Sequence, residues 1–186
     1  GCLLDLEAFG CAHYMSRYPQ LSTILKNKIP DPFSANAHLR MGRITGDHGN
    51  LYTVTTGKED HTLSPAGRLR LFQGSSFEDA PMRPAVGDWL LLSVMEGEPR
   101  LIRAILPRYS SLSRKEAGRE TKEQIIASNI DTIFIVSGLD HNFNLRRIER
   151  YITIAYNSGS SPVVVLNKLD LCDDLACKLA LVEEIA

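Results

Sequence analysis

Near the start of the chain, Leu3, Leu6, Phe9 and Cys11 or His13 fall on or near one face, and Pro19 stops the run. That spacing predicts one amphipathic helix over residues 3–18, with Gly10 its weak point. Residues 27–36, with Pro30 and Pro32, predict a loop. From Leu39 the period changes to two. Met41-Gly42-Arg43-Ile44 and Leu51-Tyr52-Thr53-Val54-Thr55 flank the Gly-rich turn of residues 46–50, a hairpin pattern. Leu63 and residues 67–72 alternate basic and apolar. After the turn Val86-Gly87-Asp88, residues 89–94 pair plausibly with 100–106 across Glu96-Gly97-Glu98-Pro99. Five short strands in about 65 residues predict a small closed barrel. The OB-fold, which commonly binds nucleic acid, is the leading choice, and an SH3-like barrel stays open on pattern alone.

Residues 107–122 read as a linker, and the grammar then becomes α/β. A strand is predicted over residues 131–136. Asn144 caps a helix with Leu145, Ile148, Ile152 and Ala155 on one face, and Gly159 ends it. A second strand follows at 162–166, and Asp173 or Asp174 caps a last helix over 175–186. Strand, helix, strand is a right-handed parallel crossover. The unbroken apolar runs 133–136 and 163–166 predict a sheet covered on both faces. The expected organisation is therefore an N-terminal helix and loop (1–38), an all-β OB-type barrel (39–107), a basic linker (108–122) and part of an α/β domain (123–186).

Composition adds little until it is divided along the chain. The 186 residues are 44% hydrophobic with net charge −1, an ordinary globular composition. Residues 1–39 carry three basic and three acidic side chains, 40–122 thirteen and ten, and 123–186 five and nine. The middle is mildly basic and the end acidic, a split that hints at two modules with different partners. No run approaches the ~20 apolar residues of a membrane span, so no membrane partner is expected. The four cysteines (Cys2, Cys11, Cys172, Cys177) match neither a zinc knuckle nor a disulfide framework, and no metal ligand is assigned. No secretory signal opens the chain, and the expected compartment is the cytoplasm.

The chemistry concentrates at Asn167-Lys168-Leu169-Asp170, directly after the second α/β strand. A guanine-reading loop needs this set. The Asp170 carboxylate can accept from the guanine N1–H and exocyclic amine, a pair of donors adenine lacks. Sites built that way reject the wrong partner by roughly 10⁴-fold or more, because the buried acceptor would be left unpaired. Asn167 can serve the N7 side of the base or tie neighbouring loops together, and the alkyl stem of Lys168 can cover the base face. Ligands of open α/β sheets sit at the carboxyl ends of strands, where this tetrapeptide lies.

A guanine loop alone does not hold a nucleotide. The phosphates need G-x-x-x-x-G-K-[S/T] at the head of a helix, and no such run occurs: Gly57-Lys58 is followed by Glu59. Nor is there a D-x-x-G to hold magnesium-bound water. An ordinary GTPase places its phosphate loop far ahead of the guanine loop. Here a helix, a barrel and one βα unit fill that space, so a GTPase reading requires a circularly permuted G domain whose phosphate loop follows residue 186.

Several stretches carry a resemblance in that order. They are Ala85-Val86-Gly87-Asp88-Trp89, Leu106-Pro107-Arg108, Leu112-Ser113-Arg114-Lys115, and the run Gln124 to Asp131. They continue with Phe143-Asn144-Leu145-Arg146-Arg147-Ile148-Glu149-Arg150-Tyr151 and Pro162 to Asp170. Over residues 39–186 the chain resembles the ribosome small-subunit-dependent GTPase A family (RsgA/YjeQ). That resemblance implies an OB-fold contacting 16S ribosomal RNA, a permuted GTP-hydrolysing domain and a small zinc-binding domain. It implies GTP or GDP as ligand and the small ribosomal subunit as partner, with magnesium and zinc held only downstream. Residues 1–186 alone are expected to be inactive and monomeric, and no catalytic residue falls among them. Arg43, His48, Arg68 and Arg70 on the barrel, with Arg108, Arg114 and Lys115 after it, are the expected RNA contacts, chosen for charge and position. A rival class is a non-enzymatic RNA-binding or ribosome-associated adaptor, which would lack a phosphate loop altogether.

Overall fold

The computed structural model describes residues 4–22, 38–73, 76–79, 83–94, 100–115 and 123–186. The expected loop at 27–36, the turn at 96–99 and the basic residues Arg119 and Lys122 lie outside the described residues. The chain divides into two compact units, residues 1–108 and 109–186.

In the first unit the expected single helix is two pieces, a 3-10 helix Leu4–Phe9 and an α-helix, α1, Cys11–Arg17. Gly10 sits between them at φ 82°, a left-handed conformation that breaks the helical run and that glycine adopts without steric cost. Leu6, Cys11, Tyr14 and Leu21 are buried. The Tyr14 hydroxyl donates to the Pro107 carbonyl at 2.7 Å, and its ring stands 5.4 Å from that of Trp89.

Seven strands follow: β1 His38–Asp47, β2 Tyr52–Thr55, β3 Asp60–Leu63, β4 Pro65–Gln73, β5 Ser76–Asp79, β6 Trp89–Val94 and β7 Leu101–Ile105. Their order in the sheet is β3-β2-β1-β6-β7-β4-β5. Only Ser64 separates β3 from β4, so the order returns to the same length of chain and the sheet closes into a ring. All pairings are antiparallel except β4 with β7, where Arg70 stands opposite Ala104 in parallel register. Ile44, Tyr52, Val54, Leu63, Leu90, Leu92, Ile102 and Ile105 form its core. At Gly42 the neighbouring strands' side chains leave little space. A Cβ there would fall 2.7 Å from Val54 Cγ1 and 2.9 Å from Leu92 Cδ1, which leaves room only for glycine.

The turn before β6 is held from below. Buried Asp88 accepts from the Ala85 amide at 2.8 Å and takes a two-pronged ion pair from Arg108, with Nε at 2.6 Å and a terminal guanidinium nitrogen at 2.5 Å. The Ile44 amide donates to the Asp88 carbonyl, and the Gly87 amide to that of Ile44. The Ala85 to Trp89 and Leu106 to Arg108 stretches are thus two halves of one joint.

The second unit begins with structure where a linker was expected. Ser111–Lys115 (β8) pairs antiparallel with Glu123–Ser128 (β9), so part of the basic stretch is a hairpin arm. The Asn129 amide donates to the Ser110 carbonyl, and the Tyr109 hydroxyl to that of Asn129. Then come β10 Thr132–Gly138, α2 Leu145–Asn157, β11 Ser161–Asn167, a 3-10 turn Leu169–Leu171 and α3 Leu175–Glu183. β10 and β11 are parallel, in register from Thr132 opposite Ser161 to Gly138 opposite Asn167. Asn144 caps α2 through the Arg147 amide at 3.0 Å, and Asp174 caps α3 through that of Cys177 at 3.1 Å. Ile135, Ile148, Ile152 and Val182 are buried together, with Ile133, Val164 and Leu166 packed against them. The opposite face differs from expectation: Phe134 and Val136 are 67% and 65% exposed, and Val163 and Val165 are also exposed. Among the described residues, helices cover one face of this pair of strands. No helix among them is long and apolar enough to cross a membrane.

Candidate functional site

β11 delivers Asn167 at its carboxyl end, beside Gly138 at the end of β10. The Leu139 amide donates to the Asn167 carbonyl at 2.9 Å, which fastens the loop after β10 to the loop after β11. The chain then turns sharply. Lys168 has φ 60° and ψ 47°, a left-handed conformation that a residue with a side chain adopts only when its surroundings hold it there. Asn167 supplies one restraint, its side-chain oxygen accepting from the Lys168 amide at 2.8 Å. The turn lifts Asp170 to an exposed position in the short 3-10 segment. Asn167, Lys168 and Asp170 therefore stand on one loop at the carboxyl edge of two parallel strands, the edge where open α/β sheets bind their ligands.

Two residues that sequence reasoning missed complete the edge. The Lys168 ammonium lies 2.6 Å from Asp140 Oδ2; the Asp140 side chain is 6% exposed and that of Lys168 49%. Asp140 also accepts from the Asn142 amide at 3.0 Å. The hydrogen bond from Lys168, reinforced by the Asn142 amide, holds the Asp140 carboxyl at about 2, below its ordinary 3.8. Gly138 makes the crossing possible, since a Cβ there would stand 3.0 Å from Asp140 Oδ1 and 3.5 Å from Lys168 Cδ. The signal in the sequence was an acidic residue two places after a glycine at the end of the neighbouring parallel strand. It becomes meaningful only once the strands are paired.

The expected RNA contacts are not gathered in the same way. Arg43 lies against its own unit: its guanidinium sits 5.2 Å from the Trp89 ring and donates to the Gly87 and Phe9 carbonyls. Arg108 is committed to buried Asp88 and to the Arg83 carbonyl. Both were chosen for charge and position, and both guanidiniums bond within their own unit. His48 is exposed beside Thr53, with 2.9 Å between Nε2 and Oγ1. Arg70 is half-buried on β4. The side chains of Arg68 and Lys115 lie outside the described residues, although their backbones belong to β4 and β8. Arg114 is exposed and lines, with Ser111, Ser113, Arg150 and Ser158, a cleft of about 620 Å³ between β8 and α2. Among the described residues no group of three or more His, Cys, Asp or Glu is placed to hold a metal ion.

A model of the RsgA GTPase family matches residues 105–185, the stretch that holds this loop and both parallel strands. Small ribosomal subunit biogenesis GTPase RsgA 2 of Lactiplantibacillus plantarum is 45% identical over 148 residues, 78% of this chain and 40% of that protein. The chain belongs to the RsgA GTPase family. RsgA of Xanthomonas oryzae pv. oryzae is 50% identical over 153 residues, and RsgA of Methanosarcina acetivorans 42% identical over 155, each across 82% of this chain. The chain spans about 40% of the length of these RsgA proteins. Two solved structures share its fold. YloQ, a circularly permuted GTPase, aligns with 79% of this chain and 46% of its own at a TM-score of 0.55 and 18% identity. YjeQ from Thermotoga maritima aligns with 78% and 46% at 0.54 and 21%.

Proposed function

We propose that this chain supplies the RNA-binding barrel and the guanine-reading loop of a GTP-hydrolysing factor acting in small ribosomal subunit biogenesis. The observation that carries the reading is the position of Asn167-Lys168-Leu169-Asp170. The tetrapeptide tops a parallel strand in a βαβ unit, in a chain 42–50% identical to proteins named as such GTPases. The ligand is GTP or GDP, with Asp170 reading the N1–H and amine of guanine, Asn167 bracing the loop and the Lys168 stem lying along the base. The phosphate loop and its Mg²⁺ fall to sequence outside residues 1–186, as permutation of the G domain requires, and so does the zinc module that the family resemblance implies. Residues 1–186 alone are inactive, and no catalytic step is assigned to them.

The barrel's connectivity supports the OB-fold. A five-strand ring in which the third strand (β3 and β4 together) runs parallel to the last is what that topology demands, and an SH3-like barrel lacks the pairing. The domain limits of the reading are about 39–107 for the barrel and 123–186 for the start of the G domain. Its partner is 16S ribosomal RNA in the small subunit. Arg68, Arg70 and His48 carry the contact on the barrel, and Arg114 and Lys115 carry it on the hairpin. The protein works as a cytoplasmic monomer.

Base selectivity tests the reading. In the full-length protein, GDP should displace a fluorescent GDP analogue at concentrations roughly 10⁴-fold lower than ADP does. Comparable displacement by the two nucleotides contradicts it.

A further inference from the structure

We propose that Asp140 is a positioning residue for the guanine-reading loop, acting through Lys168 to lay that side chain's stem along the edge where the base would rest. The inference rests on the guanine-reading assignment of residues 167–170 and extends it to a residue outside the tetrapeptide.

Four observations converge on it. The ammonium of Lys168 is 2.6 Å from a carboxylate whose side chain is almost fully buried, so the charge is turned back toward the end of β10. Lys168 occupies a left-handed backbone conformation, and its own amide is tied to Asn167 Oδ1, so both ends of the residue are fixed. The path between those ends crosses Gly138, where a Cβ would crowd Asp140 Oδ1 at 3.0 Å and come into ordinary contact with Lys168 Cδ at 3.5 Å. The loop that carries Asp140 is itself anchored, through the Leu139 amide to Asn167, the Leu139 carbonyl to Lys178 Nζ and the Asp140 carboxylate to the Asn142 amide. A lysine left to itself would sample many rotamers, and a base would have to freeze them on arrival. Here that ordering is completed before the base binds, which preserves affinity. A lysine whose charge is spent on Asp140 offers the base its methylenes, a flat apolar shelf suited to a purine face.

The expectation is specific because Asp140 and Lys168 act as one unit. In the full-length protein, Asp140→Asn, Lys168→Met and the double variant should each weaken GDP by about the same factor, about tenfold, since breaking the pair from either side releases the same shelf. The preference for GDP over XDP should be unchanged, because that choice belongs to Asp170. Equal and non-additive losses, read by displacement of a fluorescent GDP analogue, carry the inference. Losses that multiply in the double variant overturn it, because Asp140 would then act on the fold separately from Lys168. Lys168 is half-exposed, so Lys168→Met should fold even where Asp140→Asn does not, and unchanged GDP affinity in that variant alone overturns the inference. Asp170→Asn separates the two claims. If it exchanges GDP for XDP while the Asp140 and Lys168 variants bind as wild type, only this inference fails. If it does not, the guanine reading fails with it.

Discussion

Asp140 is the residue on which the account of the loop turns, and acid should expose it. Its carboxyl titrates at about 2 in the folded chain against 3.8 ordinarily, because the Lys168 ammonium and the Asn142 amide bind its charged form. A depressed carboxyl stabilises the fold fully above the unfolded value and loses that contribution as pH falls through the folded one. Unfolding by denaturant from pH 7 to pH 2 should therefore show wild type more stable than Asp140→Asn above about pH 4, with the gap closing toward pH 2. A gap that stays constant over that range contradicts the pairing. The residue scale is also where sequence reading was least reliable. The placement of Asn167, Lys168 and Asp170 at a strand end was legible because the motif is short and contiguous and follows an apolar run. Asp140 was not, because its partner is 28 residues away and parallel pairing alone brings them together. For Arg43 and Arg108 the converse holds: the charge is visible in sequence, and the Gly87, Phe9 and Asp88 acceptors that the two guanidiniums meet are not.

At the scale of elements, local grammar located most of the strands and helices and failed where a contact at a distance decides. Asn144 and Asp174 cap their helices as their positions suggested. The N-terminal helix broke at the glycine that weakened it. The β8–β9 hairpin passed for linker because Ser111-Leu112-Ser113-Arg114-Lys115 has little apolar character and stands as a strand only beside residues 123–128. The continuous apolar run of β10 suggested two covered faces, whereas Phe134 and Val136 stand exposed among the described residues. The turn before β6 and the end of β7 are joined by one ion pair, and this gives a sharp expectation. Asp88 is fully buried and Arg108 is 8% exposed. Removing one partner strands a buried charge, so Arg108→Ala should cost about 3–5 kcal/mol in chemical denaturation. A loss below about 1 kcal/mol, the scale of an exposed pair, would show that the joint does not hold the barrel.

For the whole molecule, two units share one chain, the N-terminal helices with the barrel over residues 1–108 and an antiparallel hairpin with a parallel βαβ element over 109–186. The charge gradient read from the sequence does not follow that division, since Arg114, Lys115, Arg119 and Lys122 of the basic middle belong to the second unit. If the barrel and hairpin grip phosphates, binding of small-subunit RNA by the protein should weaken steeply as salt rises, with a log–log slope that drops by about one for each contacting Arg or Lys replaced. Arg114→Ala should lower that slope and Arg43→Ala should not, given where the two guanidiniums point. A slope indifferent to both would remove the hairpin from the RNA surface. Guanine recognition by Asp170, on which the whole reading depends, can be addressed directly by one substitution. Xanthine carries a carbonyl where guanine carries its amine, so Asp170→Asn, which trades an acceptor for a donor, should reverse the preference in the full-length protein. GDP should weaken by at least about tenfold, the worth of one charge-assisted hydrogen bond, and XDP should bind more tightly than GDP. Wild type and variant with the same GDP and XDP affinities would contradict the assignment of residues 167–170 and the function proposed on it.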